Sequence, residues 1–340
     1  MKKFALLIAS TVLSVLFLEG CVRTYEFGWS SLLPWIMDSV HGIGRSGLVQ
    51  ASSCKELVYE LKPNLNTYFK KTRFSTNAQG LRDKHYGRTK PADAFRVAVV
   101  GDSFTLPAGV SIDNAYHSLL EKRLGREYPA VRIEFINFGV GGYDLQQYAA
   151  VIEHKVLSYD PDLIVIGFCT VNDFFRYAEF ETFLRQNKPY KVLPVNHPFR
   201  HWHSLAKLQE TIPNIERFFS KTSQTHPPPA PPPQLSPEQR RYVNATFDRI
   251  STAASARNIG VLITALGIEP LLSDKADFLR QASGKHDFLF IDATQGFSGK
   301  AKERYYIYRS DSHPDAEANR IFSDEIYPAI KAILAARFGS

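Results

Sequence analysis

Five short, nearly unbroken apolar runs, at 95–101, 131–138, 162–168, 259–265 and 288–291, constrain this chain more than any other feature. A strand that is apolar at successive positions must bury both faces, and parallel strands crossed over by helices satisfy that demand. The stretches between and after the runs, 114–126, 145–158, 237–257, 269–282 and 314–337, carry helical spacing. One of them has an explicit start: Ser236 caps, Pro237 takes the first helical position, and Gln239 stands where it can close a capping box. Strand then helix, repeated, predicts an α/β fold: a doubly wound, five-stranded parallel sheet with helices on both faces. Ligands are then expected beyond the carboxyl ends of the strands.

Composition narrows the function classes. In 340 residues, 44% are hydrophobic and 22% charged, the balance of a chain with a real core. The net charge of +7 comes from 41 basic against 34 acidic residues, scattered without a basic stripe interleaved with aromatics. Nucleic-acid binding is therefore not expected, and the charge supports at most a weak attraction to anionic membrane or acidic glycan. Three cysteines, Cys21, Cys54 and Cys169, neither staple a small scaffold nor show the paired spacing of a zinc site. His197, His201 and His203 lie in an irregular segment without an adjacent carboxylate and read as surface or site-lining residues. No metal and no cofactor are expected. Tyr305, Tyr306 and Tyr308 read as packing residues, with sugar stacking as the alternative.

The amino terminus reads as an address. Lys2 and Lys3 precede a 15-residue apolar run, 4–18, followed by Leu18-Glu19-Gly20-Cys21. Two cations, a run shorter than the ~20 residues that span a bilayer and a small residue before the break describe a secretory signal. The cysteine after Gly20 resembles a bacterial lipobox, although Glu19 occupies a position that usually holds a small or apolar residue. Residues 1–21 are read as a signal peptide and Cys21 as a lipidation site; Val22 brings no acidic retention signal, so an outer-membrane lipoprotein facing the periplasm is expected. A plain cleaved secretory protein and an uncleaved anchor remain the alternatives. If Cys21 is lipidated, Cys54 and Cys169 are left either as a disulfide or as two unrelated thiols.

Residues 22–94 lack strong periodicity and are expected to be a tether and an extended, partly packed lead-in to the domain at 95–338. An insertion at about 176–235 separates the third and fourth strands and holds a proline-rich stretch, 227–233, of polyproline II character. A loop of this length in a compact domain reads as an insertion beside the ligand site with a flexible hinge.

Candidate chemistry falls at strand ends. The first run leads straight into Gly101-Asp102-Ser103, where a doubly wound sheet presents its ligand site, and a helix is expected to follow with free N–H groups. After the second run comes Asn137-Phe138-Gly139-Val140-Gly141-Gly142-Tyr143, a glycine loop that can bring a backbone N–H to a ligand but lacks a dinucleotide fingerprint. After the third stands Asn172-Asp173, and before the last helix Asp311-Ser312-His313-Pro314. A nucleophile, a base with a carboxylate, and two donors thus gather on one edge of the sheet.

These blocks resemble the SGNH (GDSL) hydrolase family, and the likeness runs from about residue 75 to the last helix, including Thr76-Asn77-Ala78-Gln79-Gly80-Leu81-Arg82-Asp83. The resemblance implies a flavodoxin-like sheet and a serine esterase. It implies Ser103 as nucleophile, His313 as general base, Asp311 as its orienting carboxylate, and an oxyanion hole from the Ser103 backbone, Gly142 and Asn172. Two positions depart from the pattern. Thr170 stands where the third block has glycine, and the carboxylate precedes His313 by two positions, a spacing some branches use. Asp102 is expected to turn away from the nucleophile and hold the turn. The expected reaction is removal of an acyl group, chiefly acetyl, from a carbohydrate or small ester through an acyl-serine. An O-acetyltransferase acting on an envelope or extracellular polysaccharide shares the chemistry, and a non-catalytic glycan-binding envelope lipoprotein is the reading from another class.

Overall fold

The structure is a computed structural model and describes residues 2–27, 32, 43, 47–70, 72–175, 234–308 and 311–339. The chain opens with helix α1 (Lys2–Phe27) and two antiparallel hairpins, β1 (Val49–Ala51) with β2 (Tyr59–Leu61) and β3 (Asn66–Phe69) with β4 (Thr72–Ser75). The five apolar runs then form β5 (Ala94–Gly101), β6 (Arg132–Asn137), β7 (Leu163–Cys169), β8 (Gly260–Leu266) and β9 (Leu289–Asp292), each within a residue of the expected bounds. They pair in the order β6–β5–β7–β8–β9, all parallel. The winding therefore reverses at β5, the switch point at which such sheets present their ligand site.

Successive residues of one strand feed opposite faces. Val97 and Val99 pack with Tyr116, Leu120 and Leu124 of α2 (Tyr116–Glu127) and with Phe322, Ile326 and Ile330 of α6 (Ala316–Phe338). Ala98 and Val100 pack with Tyr148 and Ile152 of α3 (Leu145–His154), Phe247 and Ile250 of α4 (Pro237–Ser255) and Leu279 of α5 (Ser273–Lys285). All eight residues of β5 are buried, and each large apolar side chain so placed contributes about 1.5–3 kcal/mol. The capping box of α4 forms as the sequence predicts: Gln239 N–H donates to Ser236 Oγ at 3.2 Å, and Ser236 N–H to Gln239 Oε1 at 2.7 Å.

The helix expected at 114–126 forms as α2 from Tyr116, and residues 102–110 between it and β5 are turns and bends, where Pro107 has no N–H to give and Gly109 adopts φ +78°. In the lead-in, Leu48, Val49, Leu57, Leu61, Phe69 and Phe74 are buried in the same cluster as Ala98 and Val100. The first helix is longer than its apolar run, 26 residues, since the Arg23–Glu19 ion pair at 2.6 Å carries it across the polar interruption. Its span Lys2–Tyr25 is long and apolar enough to cross a membrane, and 6% of the most apolar window is buried. Cys21 lies exposed on it. Cys54 and Cys169 are free thiols, Cys169 buried. Tyr305 and Tyr308 are buried, as packing residues should be. The polyproline stretch, His197, His201 and His203 lie outside the described residues.

Candidate active site

β5 ends at Gly101 and the chain turns at once. Leu106 N–H donates to Asp102 O at 2.8 Å and Ala108 N–H to Ser103 O at 3.0 Å, so a single tight turn carries Ser103 at the sheet edge. Arg82, fully buried between the hairpins and this turn, drives its guanidinium fork into it. Nη1 donates to Leu106 O at 2.8 Å and Pro107 O at 2.6 Å, and Nη2 to Val110 O at 2.8 Å. Three carbonyls on one rigid planar cation fix the turn in place.

His313 arrives from the other end of the chain. β11 (Asp311–Pro314) pairs antiparallel with β10 (Tyr306–Tyr308), which sets residues 311 and 313 on the same side of an extended strand. His313 Nε2 stands 2.9 Å from Ser103 Oγ, and its Nδ1 is hydrogen-bonded to Asp311 Oδ1, which also accepts His313 N–H at 3.1 Å. The three side chains form one connected line of hydrogen bonds across 210 residues of sequence.

A fourth group joins that line. Lys70, at the end of β3 with φ +46°, donates from Nζ to Asp311 Oδ2, and the same Nζ lies 3.5 Å from His313 Nδ1. Lys70 is 7% exposed. Burial pushes the Asp311 carboxyl up, but the His313 hydrogen bond and charge, together with the Lys70 charge, outweigh it and hold the group well below the usual carboxylate range. Sequence reasoning missed this lysine. It sits in a Lys-Lys pair on a short hairpin, and nothing local marks one lysine of such a pair as buried.

The glycine loop closes over the Ser103 turn. Phe138 N–H donates to Val99 O at 2.8 Å and Val140 N–H to Gly101 O at 3.1 Å, continuing the β5 pairing past the end of β6. Gly139 presses on the turn so closely that a Cβ there would lie 2.7 Å from Leu106 N. Gly142 takes φ +81°, and a Cβ on it would meet Tyr59 Oη at 2.7 Å. Tyr59 in turn donates its hydroxyl to Gly141 O at 2.9 Å, so the first hairpin holds this loop as Arg82 holds the other.

Asn172 lies in the turn after β7 and donates its Nδ2 to Asp102 Oδ2 at 3.0 Å. Asp102 Oδ1 accepts Phe104 N–H at 2.9 Å. As expected, Asp102 braces the turn; its grip on Asn172 was not expected. Thr170, in place of the third-block glycine, bonds by its N–H to Leu266 O at 3.0 Å and keeps this loop on the end of β8. Beneath it Asp173 accepts Cys169 N–H at 2.7 Å and Tyr148 Oη–H at 3.2 Å. Burial raises both Asp102 and Asp173, and the charge of Asp102 pushes Asp173 further up. The Cys169 thiol is pushed up by burial and then by those two carboxyls, which leaves it inert as a nucleophile.

Ser103, His313, Asp311 and the Gly142 and Asn172 loops thus meet at the carboxyl edge around β5. Cys21 lies on α1. The sequence profile of the GDSL-like lipase/acylhydrolase family matches residues 99–321, a span that contains Ser103, Gly142, Asn172, Asp311 and His313. The chain belongs to this family. It is a hydrolase acting on ester bonds, as the family description states. No curated protein matches the chain. Among solved structures, it is similar to TesA, at 13% identity and TM-score 0.42, covering 70% of this chain and 99% of that one. It is also similar to an acetylxylan esterase from Geobacillus stearothermophilus, at 15% identity and TM-score 0.44, covering 69% and 94%. A two-domain esterase active on acetylated mannans shows 13% identity and TM-score 0.45, and here the match covers 71% of this chain but half, 50%, of the other.

Proposed function

We propose that this family member is a serine esterase of the cell envelope that removes acyl groups, chiefly acetyl, from a carbohydrate or small ester through an acyl-serine intermediate. The observation that carries the reading is the hydrogen bond of 2.9 Å between Ser103 Oγ and His313 Nε2, continued from Nδ1 to Asp311. His313 accepts the Ser103 proton as Oγ bonds to the ester carbonyl carbon, and the carbonyl π pair moves onto oxygen. The Ser103 and Gly142 N–H groups and the Asn172 amide receive that oxyanion. Collapse expels the alcohol, which takes the proton from His313, and a water repeats the sequence to release the acid. A glycan hydroxyl in place of that water makes the same chemistry a transfer.

Acetate release from p-nitrophenyl acetate, with and without a xylan or chitosan acceptor, tests the reading. Free acetate in both arms is expected. Acetylated glycan in the second arm makes the protein a transferase, and no release in either arm makes it a binding module. Asn172→Ala is expected to lower turnover about 10²-fold, since it removes one of three donors from the hole, and also to lower the melting temperature, since the buried Asp102 Oδ2 loses its partner.

The localisation belongs to the same proposal. The apolar helix near the amino terminus is consistent with export, and the exposure of Cys21 supports the reading of 1–21 as a leader ending in a lipidated cysteine in the outer membrane. Mass spectrometry of protein purified from membranes is expected to find a mature chain that starts at Cys21 and carries diacylglycerol. A mature chain that starts elsewhere, or that stays soluble with Cys21 intact, removes this claim.

A further inference from the structure

We propose that Lys70 is a positioning residue that tunes the base: its ammonium, held against Asp311 and beside His313, lowers the pH at which the esterase becomes active. The inference rests on the reading of Ser103, His313 and Asp311 as the hydrolytic group and extends it to a residue from the hairpin lead-in. In a triad of three, one carboxylate faces the imidazole alone and its full charge favours the imidazolium that forms during attack. Here Asp311 is shared. Its Oδ1 faces His313 Nδ1, its Oδ2 takes the Lys70 ammonium, and Lys70 Nζ itself lies 3.5 Å from that ring nitrogen.

Among the described residues, the charged and titratable groups facing His313 are few. Asp311 comes from its own strand, Lys70 from the β3–β4 hairpin, and Asp102, buried at the end of β5, is felt through its charge. Phe104 presents an uncharged ring with its centroid 6.1 Å from that of the imidazole. Lys70 is therefore the one cation in that set. Its side chain is 9% exposed against 28% for His313, so solvent screens it less than it screens the base itself. A buried cation at this distance disfavours a second cation on the imidazole, and it also holds the Asp311 carboxylate in the rotamer that faces His313.

The test is the pH dependence of kcat/KM for acetate release from p-nitrophenyl acetate, measured on full-length protein in detergent. Lys70→Met is expected to move the acid limb up by about one to two pH units, because the imidazolium is then favoured by an unshared carboxylate. Its plateau kcat is expected to fall about tenfold as Asp311 loses one of its two anchors. Lys70→Arg, which keeps the charge, is expected to leave the acid limb where wild type has it. If the methionine variant does not fold, Lys70→Gln carries the test, since it keeps a donor to Asp311 without the charge and is expected to show the same shift. An acid limb that superimposes on wild type in the uncharged variant overturns the proposal and leaves Lys70 a packing residue. That outcome differs from failure of the underlying reading, in which Ser103→Ala retains full activity.

Discussion

Ser103→Ala and His313→Ala are each expected to lower esterase turnover by about 10⁴–10⁶-fold, and the double variant is expected to be barely worse than either single one. The reason is the connected line of hydrogen bonds. Ser103 Oγ, at 2.9 Å from His313 Nε2, is a poor nucleophile until the imidazole takes its proton, and without Ser103 the imidazole has no proton to take. Members of such a unit fail together. A remnant rate of about 10³ over water is expected from the Gly142 and Asn172 donors and from substrate binding, which the triad variants leave in place. Single-turnover kinetics on all three variants decide the matter. Strictly additive losses would separate Ser103 from His313, and normal activity in Ser103→Ala would remove the nucleophile.

Asp311→Asn and Asp102→Asn are expected to fail differently, and the contrast is the second test. Asp311 makes the bond to His313 Nδ1 and also balances the buried Lys70, so the asparagine variant is expected to lose in two ways. Turnover of the folded fraction falls by about 10³–10⁴, since an amide presents the wrong partner to the ring and disorders its tautomer. Stability falls by about 1–3 kcal/mol near neutral pH, because a buried ammonium is left without its counter-charge. The pH dependence follows from the lowered Asp311 pKa. That carboxylate stabilises the folded state above the unfolded carboxyl range and ceases to do so as pH falls through its depressed value, so the stability gap between wild type and Asp311→Asn closes in strong acid.

Asp102 touches neither Ser103 Oγ nor His313 by a hydrogen bond among the described residues. Its two oxygens accept Phe104 N–H and Asn172 Nδ2. Asp102→Asn keeps one acceptor and is expected to reduce turnover about 10–100-fold through a misplaced Asn172, which stays within the range of one lost oxyanion donor. Thermal melts paired with turnover of the folded protein separate the two carboxyls. A folded Asp311→Asn enzyme with wild-type turnover beside an inactive Asp102→Asn enzyme reverses their roles.

The strands, their order of appearance and the places of Ser103 and Asn172 just beyond the ends of β5 and β7 were legible because each rests on a local pattern. Continuous apolar runs such as Val97-Ala98-Val99-Val100 can only be strands covered on both sides, and the residue that follows such a strand stands at the ligand edge whatever the rest of the chain does. Asp311 and His313 were legible for the same reason, since two positions along an extended strand share a side. The shape of the turn after Ser103 was not, because it is set by the carbonyls of Leu106, Pro107 and Val110 that the distant Arg82 takes up.

Tertiary structure alone decided what the hairpins do. Residues 49–75 carry short strands of three and four residues with no period long enough to read, so from the sequence they are a lead-in. Folded, they place Tyr59 against Gly141 and Lys70 against Asp311, and the segment that follows them brings Arg82 to the carbonyls of the Ser103 turn, contacts that span between 24 and 241 positions of chain. A buried cation has no sequence signature of its own, because whether Lys70 or Arg82 meets solvent or a ring of acceptors is settled by which distant oxygens the fold brings to it. Local pattern determined the sheet and where its chemistry must stand; long-range packing determined which groups hold that chemistry in place and what charge they bring to it.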